Sequence, residues 1–120
     1  MAHKTGQDMI DEAKRQIEEV TPEQVRDMQA RNERVVYLDV REPGEWNLGR
    51  LPHATHLPRG NLETKVEGII DRNQRVVIYC ARGNRSALAA LTMKEMGYGN
   101  VASMARGFVG WVDINGEVEG

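Results

Sequence analysis

Val76-Val77-Ile78-Tyr79-Cys80-Ala81-Arg82-Gly83-Asn84-Arg85-Ser86-Ala87-Leu88-Ala89-Ala90-Leu91 is the stretch that decides the architecture. Its first four residues form a short apolar run of the kind found in buried strands. Its last five are strong helix formers. Cys80 therefore falls at the carboxyl end of a strand, in a tight loop that feeds a helix amino terminus. An open α/β sheet places its ligand site at that position.

Outward from this unit, strands and helices alternate. Residues 35–40 and 101–104 read as strands, and a brief one is expected at 54–57. Thr21-Pro22-Glu23-Gln24 is a helix start, with a cap, a proline in the first turn and a glutamine three residues after the threonine. Residues 42–46 break the strand at 35–40 and open a short helix, and 63–70 are expected to be helical. The helix after the cysteine loop is expected over 86–96, with Gly97 and Gly99 as exit residues. A last turn or helix surrounds Trp111, and the end is polar and expected to fray. Residues 9–19 also read as a helix, because Ile10, Ala13 and Ile17 share a face. The fold class that follows is α/β, a small parallel sheet with helices on both faces.

Composition narrows the function classes. At 120 residues the chain is one domain with a modest core. Its 40% hydrophobic and 28% charged residues are ordinary for a soluble protein, and no apolar run approaches a membrane span. A net charge of −2 with no long basic run argues against a nucleic-acid partner. The first residues lack the apolar core of an export signal. One cysteine makes no internal disulfide and suits a reducing compartment, so a cytoplasmic location is expected.

The loop has its own chemistry. Gly83 and Asn84 tolerate left-handed backbone angles, so the chain can curl and turn successive N–H groups inward as an anion nest. The following helix adds its unpaired N–H groups and its dipole. Arg82 and Arg85 add positive charge. Such a cradle favours a charged sulfur and holds an anion beside it. A buried, inert thiol is the plainer reading of a lone cysteine, and the residues that follow Cys80 argue against it. Cysteine phosphatases place five residues between cysteine and arginine; here four intervene, Ala81 to Asn84. The tighter ring suits one sulfur atom carried on the cysteine better than a tetrahedral phosphoryl group.

Three separated blocks resemble those of a single-domain rhodanese, a sulfurtransferase domain, over roughly residues 20–115. They are Leu38-Asp39-Val40-Arg41-Glu42-Pro43-Gly44-Glu45-Trp46, then Gly49-Arg50-Leu51-Pro52-His53-Ala54-Thr55-His56-Leu57-Pro58, then Cys80-Ala81-Arg82-Gly83-Asn84-Arg85-Ser86. The resemblance implies a rhodanese-like, five-stranded parallel sheet flanked by helices. It implies residues 1–19 as an N-terminal helical appendage, 20–116 as the rhodanese-like domain and 117–120 as a polar tail. It implies Cys80 as the nucleophile that accepts sulfur from thiosulfate or a related small anionic donor, giving a persulfide that a thiophilic acceptor discharges. Ala81, Arg82, Gly83, Asn84, Arg85 and Ser86 would hold that persulfide, and Asp39 and Arg41 would brace the site as an ion pair or hydrogen-bonded corner. An alternative is a sulfur-relay module loaded by a protein persulfide, for which residues 9–19 offer a docking element.

Two departures bear on donor preference. Arg50 stands where many members carry histidine, and His53 where they carry glycine; Arg106 replaces the first of two glycines, of which Gly107 is the second. Both arginines would make the site mouth more basic if they face it. Arg82 has two open orientations, toward a donor's sulfonate or into solvent. Arg85 is read as structural, paired with Asp39 or Glu45. His53 and His56 lack the partners of a metal site, and no cofactor is expected.

Overall fold

The computed structural model describes residues 2–120. The segments that are apolar on both faces build the sheet. Strand β4 (Val76–Tyr79) and strand β5 (Val101–Met104) are buried along their whole length, and β2 (Val36–Asp39) along all but its first residue. Shorter strands β1 (Glu18–Val20) and β3 (Ala54–His56) close the two edges. All pairings are parallel, in the order β1-β5-β4-β2-β3. The alternating pattern's parallel α/β sheet is borne out, with the five strands that the resemblance implies.

Strand alternation divides the core into two layers. Val76, Ile78 and Cys80 face one side with Leu38 and Val40, where they meet Ala89, Ala90 and Met93 of helix α5 (Asn84–Glu95). Val77 and Tyr79 face the other side with Tyr37, Ala102 and Met104. There they meet Val25 of helix α2 (Pro22–Ala30) and Trp111 of helix α6 (Gly107–Asp113). Helix α1 (Gly6–Gln16) packs on α5 through the fully buried Ala13. The short helices α3 (Pro43–Asn47) and α4 (Leu62–Lys65) complete the connections after β2 and β3. Among the described residues no helix is long and apolar enough to cross a membrane.

The structure departs from the sequence reading in three places. The helix expected over 9–19 ends at Gln16, and residues 18–20 turn into β1. Only Val20 of that strand is buried. Glu18 instead forms a two-pronged pair with Arg75, both N–O distances being 2.9 Å. Charged residues of this kind belong on an edge strand, but they read equally well as a helix face. The terminal residues, expected to fray, are tied down. Arg50 and Glu119 exchange two backbone hydrogen bonds of 2.9 Å, and the Trp111 indole donates to the Glu117 carbonyl at 2.8 Å. Finally, α5 begins at Asn84 rather than Ser86, so its first turn is itself part of the cysteine loop.

Helix α2 starts as its sequence requires. The Thr21 hydroxyl accepts from Gln24 N–H at 3.1 Å, and the Gln24 side chain accepts from Thr21 N–H at 2.8 Å. Thr21→Ala removes one half of this box. Urea denaturation should show a loss of about 1 kcal/mol in unfolding free energy.

Candidate active site

The strand β4 ladder ends at Tyr79, and Cys80 turns its sulfur toward the α5 side of the sheet. Its Sγ is 3.1 Å from the N–H of Gly83 and 3.4 Å from the N–H of Ser86. Gly83 makes this possible with φ +96°, a left-handed conformation at the cap of α5. Asn84, which could also have supplied a left-handed turn, is the first helical residue. The N–H groups of Ala81, Arg82, Asn84 and Arg85 find no partner among the described residues. The helix amino terminus and the anion nest are thus one object.

Helix α6 sets the direction of the loop peptides. Phe108 N–H donates to the Cys80 carbonyl at 2.8 Å, and Val109 N–H to the Ala81 carbonyl at 3.0 Å. A trans peptide points its C=O and N–H in opposite directions. Carbonyls drawn toward α6 therefore leave the N–H groups of Ala81 and Arg82 pointing away from it. The approach is so close that a Cβ on Gly107 would overlap the Cys80 carbonyl oxygen. Gly107 has φ +52°, and the preceding Arg106 is left-handed at φ +63°.

Arg85 does not enter the loop's interior. Its guanidinium grips the Glu45 carboxylate with N–O distances of 2.7 and 3.0 Å, which joins α3 to the first turn of α5. Of the two partners left open by sequence, Glu45 takes it. That two-pronged bond holds Glu45 down at about 2 from an ordinary 4.5; partial burial works against the shift, and the Glu42 N–H and the charges of Arg85 and Arg41 add to it. Arg82 is exposed and pairs with no carboxylate among the described residues.

Asp39 and Arg41 lie at the end of β2, on the opposite face from the sulfur. Asp39 is fully buried and Arg41 nearly so. The Arg41 Nη2 lies 2.7 Å from Asp39 Oδ2, its Nε 3.0 Å from both Asp39 oxygens, and its backbone N–H 2.9 Å from Oδ1. Nη2 also donates to the Gly49 carbonyl at 2.7 Å, and the guanidinium lies 4.4 Å from the Phe108 ring centroid. The pair thereby locks β2, the Gly49 turn and α6 together. Burial opposes the Arg41 charge, and the hydrogen bonds and charge of Asp39 outweigh it and push its pKa up.

Several supporting residues escaped the sequence reading. His56 bonds the Arg41 carbonyl through Nε2 at 2.8 Å and stacks on Trp46 with ring centroids 4.7 Å apart. Arg50 covers Trp46 at 4.5 Å from its centroid, and Arg106 pairs with Glu23 of α2 at 3.1 Å. Arg106 is thus paired with a carboxylate, whereas Arg50 meets the face of a ring, which leaves its charge in place. Ser103 of β5 lies 2.8 Å from the Ser86 hydroxyl. A small polar residue in a strand carries no signal in sequence that separates it from an ordinary strand position.

Comparison with known proteins gives a consistent answer. The family pattern described as Rhodanese-like domain matches residues 21–114. A thiosulfate sulfurtransferase from Actinobacillus succinogenes is 34% identical over 93 residues, covering 78% of this chain and 82% of that protein. A sulfurtransferase from Allochromatium vinosum is 32% identical, covering 79% and 88%. A solved structure from Rhodopseudomonas palustris, described as a protein of unknown function and possible tyrosine phosphatase, superposes with a TM-score of 0.88 at 33% identity, covering 99% of this chain and 97% of that one. The chain spans only part of other curated relatives, 51% of one from Bacillus subtilis and 24% of one from Mycobacterium tuberculosis.

The Glu45–Arg85 pair carries a pH signature. A carboxyl held low in the folded state adds stability that is complete above its unfolded value of 4.5 and is lost as pH falls toward about 2. Both side chains are about a third exposed, at 35% and 38%, so screening keeps the effect small. Melting temperatures of Glu45→Gln should fall less steeply than the parent's between about pH 5 and pH 2.

Proposed function

The chain belongs to the rhodanese-like domain family, and from that premise we propose that it moves sulfane sulfur through a persulfide on Cys80. In the first step the Cys80 thiolate attacks the outer sulfur of thiosulfate. The new S–S bond takes the place of the donor's own, and sulfite leaves with the bonding electron pair. The Cys80 charge is spent in the new bond and departs with the sulfite dianion, while the outer sulfur keeps the negative charge it carried in the donor and becomes the persulfide anion. In the second step a nucleophile such as cyanide attacks that sulfur, leaves as thiocyanate, and returns the thiolate.

The observation that carries this reading is the pair of N–H groups on the Cys80 sulfur, Gly83 at 3.1 Å and Ser86 at 3.4 Å, with four further N–H groups of the same loop unpartnered among the described residues. Inward-facing amides stabilise negative charge without a proton to move. The same donors serve a thiolate before transfer and a persulfide anion after it. Arg82 stands exposed at the loop edge, where a donor's sulfonate would approach. Asp39 and Arg41 act as a brace, because both are buried on the far face of the strand layer.

A phosphatase reading is less well supported. Four residues rather than five separate Cys80 from Arg85, and Arg85 is committed to Glu45. No guanidinium is then left inside the ring to clamp equatorial phosphoryl oxygens.

Mass spectrometry after thiosulfate treatment tests the proposal. One sulfur, about 32 Da, should be added at Cys80 and removed by cyanide. Cys80→Ser should gain no mass and form no thiocyanate while melting like the parent. Thiocyanate formation that survives in Cys80→Ser would refute the mechanism. Slow loading from thiosulfate with fast loading from a protein persulfide would instead assign the chain to a sulfur relay. Hydrolysis of an aryl phosphate should not rise above the Cys80→Ser background.

A further inference from the structure

Strand parity places three polar atoms in one line beneath α5. Ile78 of β4 is registered opposite Ser103 of β5, and Cys80 lies two residues beyond Ile78 on the same face. Ser86 descends onto them from the first turn of α5. Cys80 Sγ is 3.4 Å from Ser86 Oγ, and Ser86 Oγ is 2.8 Å from Ser103 Oγ. Both serines are fully buried. The Ser103 hydroxyl has no other partner among the described residues, so the line ends there.

We infer that Ser103 is a positioning residue for the sulfur chemistry: its hydroxyl fixes the Ser86 hydroxyl as a donor to Cys80. Proton counting gives the direction. A chain of three atoms has two links. When the sulfur is a thiolate, the two hydroxyl protons fill both links, running from Ser103 to Ser86 and from Ser86 to sulfur. When the sulfur carries a proton, three protons share two links, and one is buried without an acceptor. Donation by Ser103 also polarises the Ser86 hydroxyl, which strengthens its bond to the charged sulfur. Without Ser103, the Ser86 hydroxyl is free to turn back on the carbonyls of its own helix turn, as buried serines do.

The role rests on Cys80 as the reacting thiol, but its test does not require sulfur transfer. The probe is alkylation of the free thiol by iodoacetamide, followed by mass across a pH series. Other charges around Cys80 are Arg85 clamped to Glu45, Glu42 at the α3 cap, the exposed Arg82, and Asp39 with Arg41 on the neighbouring strand end. None of them touches Ser103, so substitution there leaves them in place.

Two variants of nearly equal shape separate the hydroxyl from packing. Ser103→Val should move the alkylation midpoint upward by about half a pH unit, slowing alkylation and thiosulfate loading about threefold below that midpoint. Ser103→Thr keeps the hydroxyl and should follow the parent curve. Equal shifts in Val and Thr variants, or no shift in either, would overturn the inference. If the valine variant fails to fold, Ser103→Ala against the parent carries the same comparison. A parent protein that alkylates as expected but gains no sulfur from thiosulfate would count against the persulfide mechanism and leave the Ser103 result standing.

Discussion

Everything at the site depends on one geometric constraint: the first turn of α5 must begin within a few residues of the cysteine, so that the Ser86 N–H reaches the sulfur. A helix starting two residues later would leave the Ser86 N–H among ordinary loop amides. With α5 opening at Asn84, the three N–H groups of its first turn have no intrahelical acceptor, and that of Ser86 reaches the Cys80 sulfur. Gly83 supplies the left-handed step that joins strand direction to helix direction within so few residues.

That constraint is maintained from outside the loop. Helix α6 draws the Cys80 and Ala81 carbonyls outward, Glu45 holds the Arg85 side chain off to one flank, and Arg41 ties β2 to the Gly49 turn beneath Phe108. Each of these contacts is polar and directional. Hydrophobic burial alone places strand β4 and helix α5 in contact, but it does not choose which way a peptide plane faces. The Gly107 backbone is where the two kinds of order meet. It packs against the loop so closely that only a residue without a side chain fits.

Much of this was legible in the sequence because it rests on local signals. The apolar run at 76–79, the helix formers from Ala87 and the capping box at Thr21 each state their structure within a few residues. The three motif blocks located the sulfur and its loop. What stayed hidden depends on partners distant in the chain. Strand β1 is fixed by pairing with residues 102–104 and by Arg75, against a helical charge pattern. The tail is fixed by Arg50 and by the Trp111 ring. Arg106 finds its carboxylate in Glu23, which its neighbours in sequence do not announce. Ser103 is invisible until β4 and β5 are set in register, because only the register brings its hydroxyl under Ser86.

The burial of the sulfur has a consequence for what can react there. Cys80 is 1% exposed, so a reaction partner must present a single protruding atom rather than a broad face. A sulfane sulfur meets that demand, since it extends one bond beyond the group that carries it. In the proposed reaction the situation would invert after transfer. The outer sulfur of a Cys80 persulfide would stand one S–S bond, about 2 Å, farther from the backbone, and an acceptor would need to touch only that atom. Recognition of the rest of a donor or acceptor would then fall to the loop edge, where Arg82 and Asn84 are exposed. On the proposed mechanism the backbone amides would fix the reaction while the exposed side chains beside them would choose the partners, so the two properties could vary independently on one fold.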